Sequence, residues 1–519
     1  MLPTNRTPVI DTGLHMVSLL PRALGRRGFL SLAGLAGVTA AGMSGAGPRA
    51  GASPDSGSAG SSGSAGSAAG GPTGPVGPAL QALGRTTLRE PGSRPFPDRP
   101  AGTDTLPGIE HIVVLMLENH SFDNFLGMLG RGDGFTLDAT GQPTAANPLP
   151  DGKLQRAFHM SNTCQLHGSP GQEWKLCWES YNGGAMDGFV STANDPARTP
   201  TPVAMGYWTG DDLPFTYSLA RTFPIADRWF ASSMGQTDPN RRYLIAATSL
   251  GMVDDIGTSP KNLTEDLLLL DPACATIFQR LDQYGIGWAD YVTDVPVGTT
   301  PLLYPINDAL PILTHARPFE QFFTDAAAGT LPAVSMLDPD FEAQSQENPQ
   351  NIVVGEAVLA RVVEAIGASP AWDRTLFVLV YDEHGGYYDH VPPPPALPPD
   401  GAAPVLRPGL QTYEGFGRYG FRVPAVVVSP YAKPDHVSHK LYDHTSILAM
   451  IERKWNLPAL TYRDANANDL TDFLDLDALA ARTPTFPVLP PLAAAGDTPD
   501  RLACGTLSQN QPPVVPPPS

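Results

Sequence analysis

Two apolar runs end in hard oxygen donors: Glu118-Asn119-His120 follows HIVVLML (111–117), and Asp382-Glu383-His384 follows TLFVLVY (375–381). A buried bare carboxylate is costly and two adjacent acids repel each other, so such ends need protonation or a bound cation. The donors suit a hard divalent ion, which makes Glu118, Asn119, Asp382 and Glu383 candidate metal ligands. The competing reading of the first end is a helix cap, with Asn119 or Ser121 starting a short helix. A nucleophile is offered by SSMGQTDPNRRYLIAATSLG (232–251). Thr237 stands just before Pro239, and RRYLIAATSL reads as a helix, so the hydroxyl is expected near a helix N-terminus, where backbone donors and the dipole favour phosphate. A nearby metal would lower the hydroxyl pKa and hold the phosphorus in line, and Asn240 or Arg241 would bind a phosphoryl oxygen. The alternative for Thr237 is an N-cap.

His384, Asp389 and His390 cluster in YDEHGGYYDH. Their candidate roles are general acid for a leaving group, proton transfer to the water that cleaves a phospho-enzyme, or hydrogen-bond support for ligands. His444, in YDHTSIL, precedes a helix that Asp443 could cap. His167, in LHGSPGQEW, and YNGGAMDGF (181–189) read as a substrate-side loop.

These residues need elements to gather them. The short, nearly continuous apolar runs at 111–117, 333–337, 375–381 and 423–429 suit strands buried on both faces, as in a parallel sheet covered by helices. GEAVLARVVEAI (355–366) and HTSILAMIERKW (444–455) have apolar residues at helical spacing. The pattern is α/β. Ligands of such sheets bind at the carboxyl ends of the strands, so 118–120, 382–384 and the acids Asp338 and Asp340 after the second run are expected to converge.

The chain has 519 residues, 42% of them hydrophobic, which permits a large core; Gly 52 and Pro 56 make about a fifth of it, below the level of general disorder. Net charge is -19, so no global positive field draws in nucleic acid or anionic membrane. Arg26-Arg27-Gly28-Phe29-Leu30 and the weakly apolar run after it resemble a twin-arginine export signal, too short and weak for a comfortable transmembrane helix. Four regions are expected: an export signal at 1–50, a low-complexity linker at 51–104, a catalytic domain at 105–490 and a Pro-rich tail at 491–519. Localisation is expected to be secreted or cell envelope. Export makes disulfides reasonable, and Cys164, Cys177, Cys274 and Cys504 allow three pairings. Cys164–Cys177 is the local choice, leaving Cys274 to fasten Cys504.

ENHSFDNFLG, YNGGAMDGF, TDPNRRY, YDEHGGYYDHVPPP and YDHTSIL together resemble the bacterial phosphoesterase family of phospholipases C and acid phosphatases, over roughly residues 107–460. The resemblance implies an alkaline-phosphatase-like α/β fold, a mostly parallel central sheet flanked by helices. It implies Glu118, Asn119, Asp382 and Glu383 as metal ligands, Thr237 as nucleophile and further ligand, and His167 and Asn240 as phosphoryl supports. Asn348 and Cys177 stand where relatives are expected to carry His. The expected activity is phospholipase C action on phosphatidylcholine-like lipids through a phospho-threonine, with a divalent metal of unspecified identity and transient membrane-surface contact. An acid phosphatase using the same site is the alternative, and a non-catalytic secreted binding protein is a third reading. Thr237-Asp238-Pro239-Asn240-Arg241 also echoes a sulfatase motif, but Thr cannot give formylglycine.

Overall fold

Val, Ile and Leu fill the two longest apolar runs, and both become strands with all seven residues buried. The computed structural model describes residues 76–149, 151–160, 162–164, 170–192, 202–255, 276–293, 314–341, 343–347, 350–496 and 517. They belong to one unit, Pro72–Asp255 with Leu269–Ser519. The export segment, residues 51–75 of the linker, His167, Cys274, Asn348 and Cys504 lie outside the described residues.

In chain order the strands are β1 (His111–Leu117), β2 (Ala146–Pro148), β3 (Leu154–Arg156), β4 (Phe158–His159), β5 (Gly206–Tyr207), β6 (Ile225–Ala226), β7 (Trp288–Val292), β8 (Ala316–Pro318), β9 (Val334–Asp338), β10 (Thr375–Tyr381), β11 (Ala425–Val428) and β12 (Val437–Ser438). Eight form one sheet in the order β12-β6-β11-β10-β1-β9-β7-β8. Only β11 runs against its neighbours, so the expected α/β architecture with a mostly parallel sheet is what forms. β1 and β10 hold the centre, where each large aliphatic side chain taken fully from water contributes about 1.5–3 kcal/mol.

The two foreseen helices form as Ile352–Ala368 and Thr445–Trp455. Asn351 starts the first by accepting from the Val353 amide, and left-handed Asn456 ends the second.

Three sequence expectations need adjusting. Residues 76–104, assigned by composition to the linker, carry the helix Val76–Ala82 and dock on the body: Arg85 Nη2 donates to Ala467 O at 2.8 Å, and the Gly92 amide to Ala459 O at 2.9 Å. The buried Leu80 and Leu83 supply the apolar surface that a linker lacks. The described start of the tail is also tied down, with the Gly496 amide donating to Glu356 Oε2 at 3.2 Å. The Cys164–Cys177 pairing does not form. Cys177 is a free, buried thiol on the helix Trp174–Tyr181, packed among Trp174, Trp178 and Phe421, while Cys164 is disulfide-bonded to a partner outside the described residues. Closeness in sequence was a poor guide because the helix turns Cys177 into an aromatic core.

Candidate active site

β1 and β10 are parallel, with Leu117 opposite Tyr381, so Glu118 and Asp382 leave the sheet side by side. Next to β1, β9 ends in Asp338. The chain turns sharply after Glu118 because Asn119 adopts φ 69°, a left-handed conformation that Asn tolerates better than most residues. Its amide donates to Asp382 Oδ1 at 3.3 Å, and the Glu383 amide reaches the same oxygen at 2.8 Å. Gly385, at φ +63°, lies so close that a Cβ there would meet Asn119 O at 2.0 Å. Only glycine fits that crossing of the two loops. Ser121, rather than Asn119, caps the short helix Phe122–Leu126, accepting from the Asn124 amide at 3.1 Å, which leaves the Asn119 side chain for the site.

Thr237 opens the helix Thr237–Ala246. The Asp238 amide is taken by Asp255 Oδ1 at 2.9 Å and Pro239 has none, which leaves the Thr237 amide without an acceptor among the described residues. Thr237 is 1% exposed, and its hydroxyl donates to Glu118 Oε2 at 3.3 Å and Asn119 Oδ1 at 3.4 Å. Thr237, Glu118, Asn119, Asp382 and Glu383, chosen from three distant segments, therefore share one place.

Asn119 sits at the centre of the acids. With its amide nitrogen turned inward it donates to Asp382 Oδ1 at 2.9 Å, Glu383 Oε1 at 2.9 Å and Glu118 Oε2 at 3.2 Å. With its oxygen inward, it joins an all-oxygen shell with these carboxylates and Thr237. Such a shell suits a hard cation, and without one its carboxylates favour protonation. The charge balance points the same way: Arg241 has three buried carboxylates beside it, Glu118, Asp382 and Asp338, with its Nε and Nη2 2.8 and 2.6 Å from Glu118 Oε1, and Glu383 adds a fourth acid to the site. Asp382 Oδ2 is buried and accepts no hydrogen bond among the described residues, with Arg241 Nε 3.5 Å away. Burial first, then the charge of Asp382, pushes Glu118 and Glu383 well above the usual carboxylate range; burial also raises Asp382, against the pull of Arg241. Hard oxygens, an orphaned buried carboxylate atom and a deficit of positive charge fit a divalent ion.

A second acidic group does not share that deficit. Ligand atoms of Asp123, Asp389 and His390 lie within 4.8 Å of one another, a spacing that could hold a metal. Arg422, however, donates from Nε to Asp389 Oδ1 at 2.8 Å and from Nη2 to Asp123 Oδ1 at 3.1 Å, while His390 Nδ1 is 2.7 Å from Asp123 Oδ2. The guanidinium and imidazole already supply the positive charge, so this group reads as a buried ion-pair network. Burial lowers the His390 pKa, but its bond to Asp123 and the charges of Asp123 and Asp389 outweigh this and raise it from 6.5 to about 9. Its stabilisation is therefore complete below pH 6.5 and is lost as pH rises from there through about 9. His390→Asn should remove a stability slope worth about 2 kcal/mol across that window, checked by urea unfolding at pH 6 and pH 9.5. Equal slopes in both proteins would contradict the network.

The other sequence candidates are placed as follows. His384 is buried, with Nδ1 3.0 Å from Glu383 Oε2 and its ring against Phe421, so it orients a candidate ligand; burial lowers its pKa to about 3. Asn240 staples the preceding loop, accepting from the Ser233 amide at 3.0 Å and donating to Gln236 O at 3.0 Å. His444 Nε2 lies 2.6 Å from Asp382 O. His120 is stacked on Phe125 at 3.9 Å and bonded to Asn124 and Gln346, behind the site. Arg241, considered for a phosphoryl oxygen, instead grips Glu118. Its spacing one turn after Thr237 was the available signal, since such residues share a helix face. No local pattern announces Arg422.

The chain is 30% identical over 432 residues to "Phospholipase C B" of Mycobacterium tuberculosis, covering 74% of this chain and 82% of that protein. It is 31% identical over 390 residues to "Non-specific phospholipase C6" of Arabidopsis thaliana, covering 70% and 72%. A solved alkaline phosphatase superfamily protein from Vibrio parahaemolyticus aligns over 74% of this chain and 72% of its own with 10% identity and a TM-score of 0.36, too low to add an argument. The model of the Phosphoesterase family matches residues 109–458, spanning every element of the site, and the chain belongs to that family of phosphoric ester hydrolases.

Proposed function

We propose that this protein is a metal-dependent phospholipase C that attacks phosphatidylcholine-like lipids through Thr237 and is exported by its twin-arginine-type signal to the cell envelope or beyond. The observation that carries the reading is the Thr237 hydroxyl, at a helix N-terminus, hydrogen-bonded to Glu118 and Asn119. Thr237 passes its proton towards Glu118 Oε2 and bonds to phosphorus as the bond to the glycerol oxygen breaks. Diacylglycerol leaves with a proton, and water then cleaves the phospho-threonine and frees the phosphorylated head group. A divalent ion held by Glu118, Asn119, Asp382, Glu383 and Thr237 would lower the hydroxyl pKa and offset charge on the phosphoryl oxygens. The Thr237 amide and helix dipole stabilise the same charge. His384 holds Glu383 in place, and Asp389 and His390 brace the loop behind Asn119.

The relatives' names favour a phosphodiester over a monoester. The mature protein should turn over p-nitrophenyl phosphorylcholine with a kcat/KM at least about tenfold above that for p-nitrophenyl phosphate, a difference of about 1.4 kcal/mol in transition-state binding. A preference for the monoester would replace this reading with an acid phosphatase.

A further inference from the structure

Glu118 has two oxygens and two distinct neighbours on the same helix. Oε2 receives the Thr237 hydroxyl, and Oε1 is gripped by Arg241 through Nε at 2.8 Å and Nη2 at 2.6 Å. Thr237 and Arg241 lie one helical turn apart, so one rigid element holds one carboxylate at two points. The rest of the guanidinium is also committed. Nη2 donates to Met116 O at 3.1 Å, Nη1 lies 3.5 Å from Asp338 Oδ1, and the Phe341 ring stands 5.6 Å from Cζ. With its side chain 4% exposed, Arg241 offers no open edge to a phosphoryl group.

We propose that Arg241 is a positioning residue: a built-in counter-cation that fixes Glu118 so that one carboxylate oxygen faces Thr237 and the metal. This rests on the cation site proposed above. Arg241 does two opposed things there. Its fork aligns the carboxylate, which a point charge such as lysine cannot reproduce. Its positive charge, beside Glu118 and Asp382, also competes with an incoming cation. Removing it should therefore tighten metal binding while slowing the reaction, a combination that neither a substrate clamp nor a general folding role produces.

The test uses the full mature chain as wild type, Arg241→Met and Arg241→Lys. Stripped of metal, each is titrated with Mn²⁺, free ion being counted by electron paramagnetic resonance, and each is assayed on p-nitrophenyl phosphorylcholine. Arg241→Met should bind Mn²⁺ about tenfold more tightly and lose about 100-fold in kcat with KM within about threefold. Arg241→Lys keeps the charge and guards against a misfolded first variant. It should bind Mn²⁺ within about threefold of wild type yet lose at least about tenfold in kcat. Weaker or unchanged Mn²⁺ binding in a folded Arg241→Met would overturn the counter-cation role, and a rise in KM alone would make Arg241 a substrate clamp. Wild type that turns over substrate but binds no Mn²⁺ also overturns the inference. Wild type with neither turnover nor binding overturns the phospholipase reading as well.

Discussion

Thr237→Ala should lower kcat on a phosphodiester by at least about three orders of magnitude, while Thr237→Ser should stay within about tenfold of wild type. The alanine variant removes the oxygen that bonds to phosphorus, and neighbours optimised for that oxygen cannot place a water equally well at a buried helix mouth. Serine keeps the oxygen on the same backbone and loses only a methyl group. Folding should be little affected, because the Thr237 hydroxyl is a long donor, at 3.3 and 3.4 Å, to two groups held by other bonds. Rapid quench of wild type with a short-chain phosphatidylcholine, followed by peptide mass spectrometry, should find the phosphorylated head group on the peptide containing Thr237. Alanine activity within tenfold of wild type would mean that water attacks directly.

The second large effect separates activity from stability. Asp382→Asn should reduce turnover by at least about 1,000-fold and, with metal removed, stabilise the protein by about 1–3 kcal/mol. Asp382 Oδ1 accepts from the Asn119 and Glu383 amides, contacts that an asparagine oxygen retains. Its other oxygen is buried beside Glu118 and Arg241 without a hydrogen bond among the described residues; a carboxylate there adds repulsion, and an amide N–H can donate to Glu118. Wild type should lose activity and a few degrees of Tm on treatment with EDTA, and the variant should show little change in Tm. Calorimetry with and without chelator decides it. An apo variant less stable than apo wild type would show that the acid serves the fold rather than a cation.

The sheet's centre was legible because β1 and β10 are uninterrupted apolar runs, a pattern that survives without tertiary context. β7 carries Asp290 in its middle, fully buried with neither oxygen hydrogen-bonded among the described residues, which breaks the apolar signal; β6 and β12 are two residues long and have no periodicity to read. The acids, Asn119 and Thr237 were legible because each follows or opens a recognisable element. Arg241 left only its helical spacing from Thr237 as a signal and Arg422 left none, since an arginine's partner is set by tertiary placement. Arg422 reaches Asp123 across 299 positions of chain, and sequence spacing carries no trace of that bond.

The crossing of Asn119 and Gly385 has a consequence for where the protein is loaded. Their contact joins residues 266 positions apart, and the bonds from Thr237 to Glu118 and from Asn119 to Asp382 span 119 and 263 positions. No nascent fragment that ends before Glu383 and no single supersecondary unit contains the cluster, so it forms only late, with the central sheet in place. A chain translocated in its native form would cross the membrane with the cluster already assembled. An ion bound there, if export follows folding as proposed, would record the metal supply of the compartment where the chain folded.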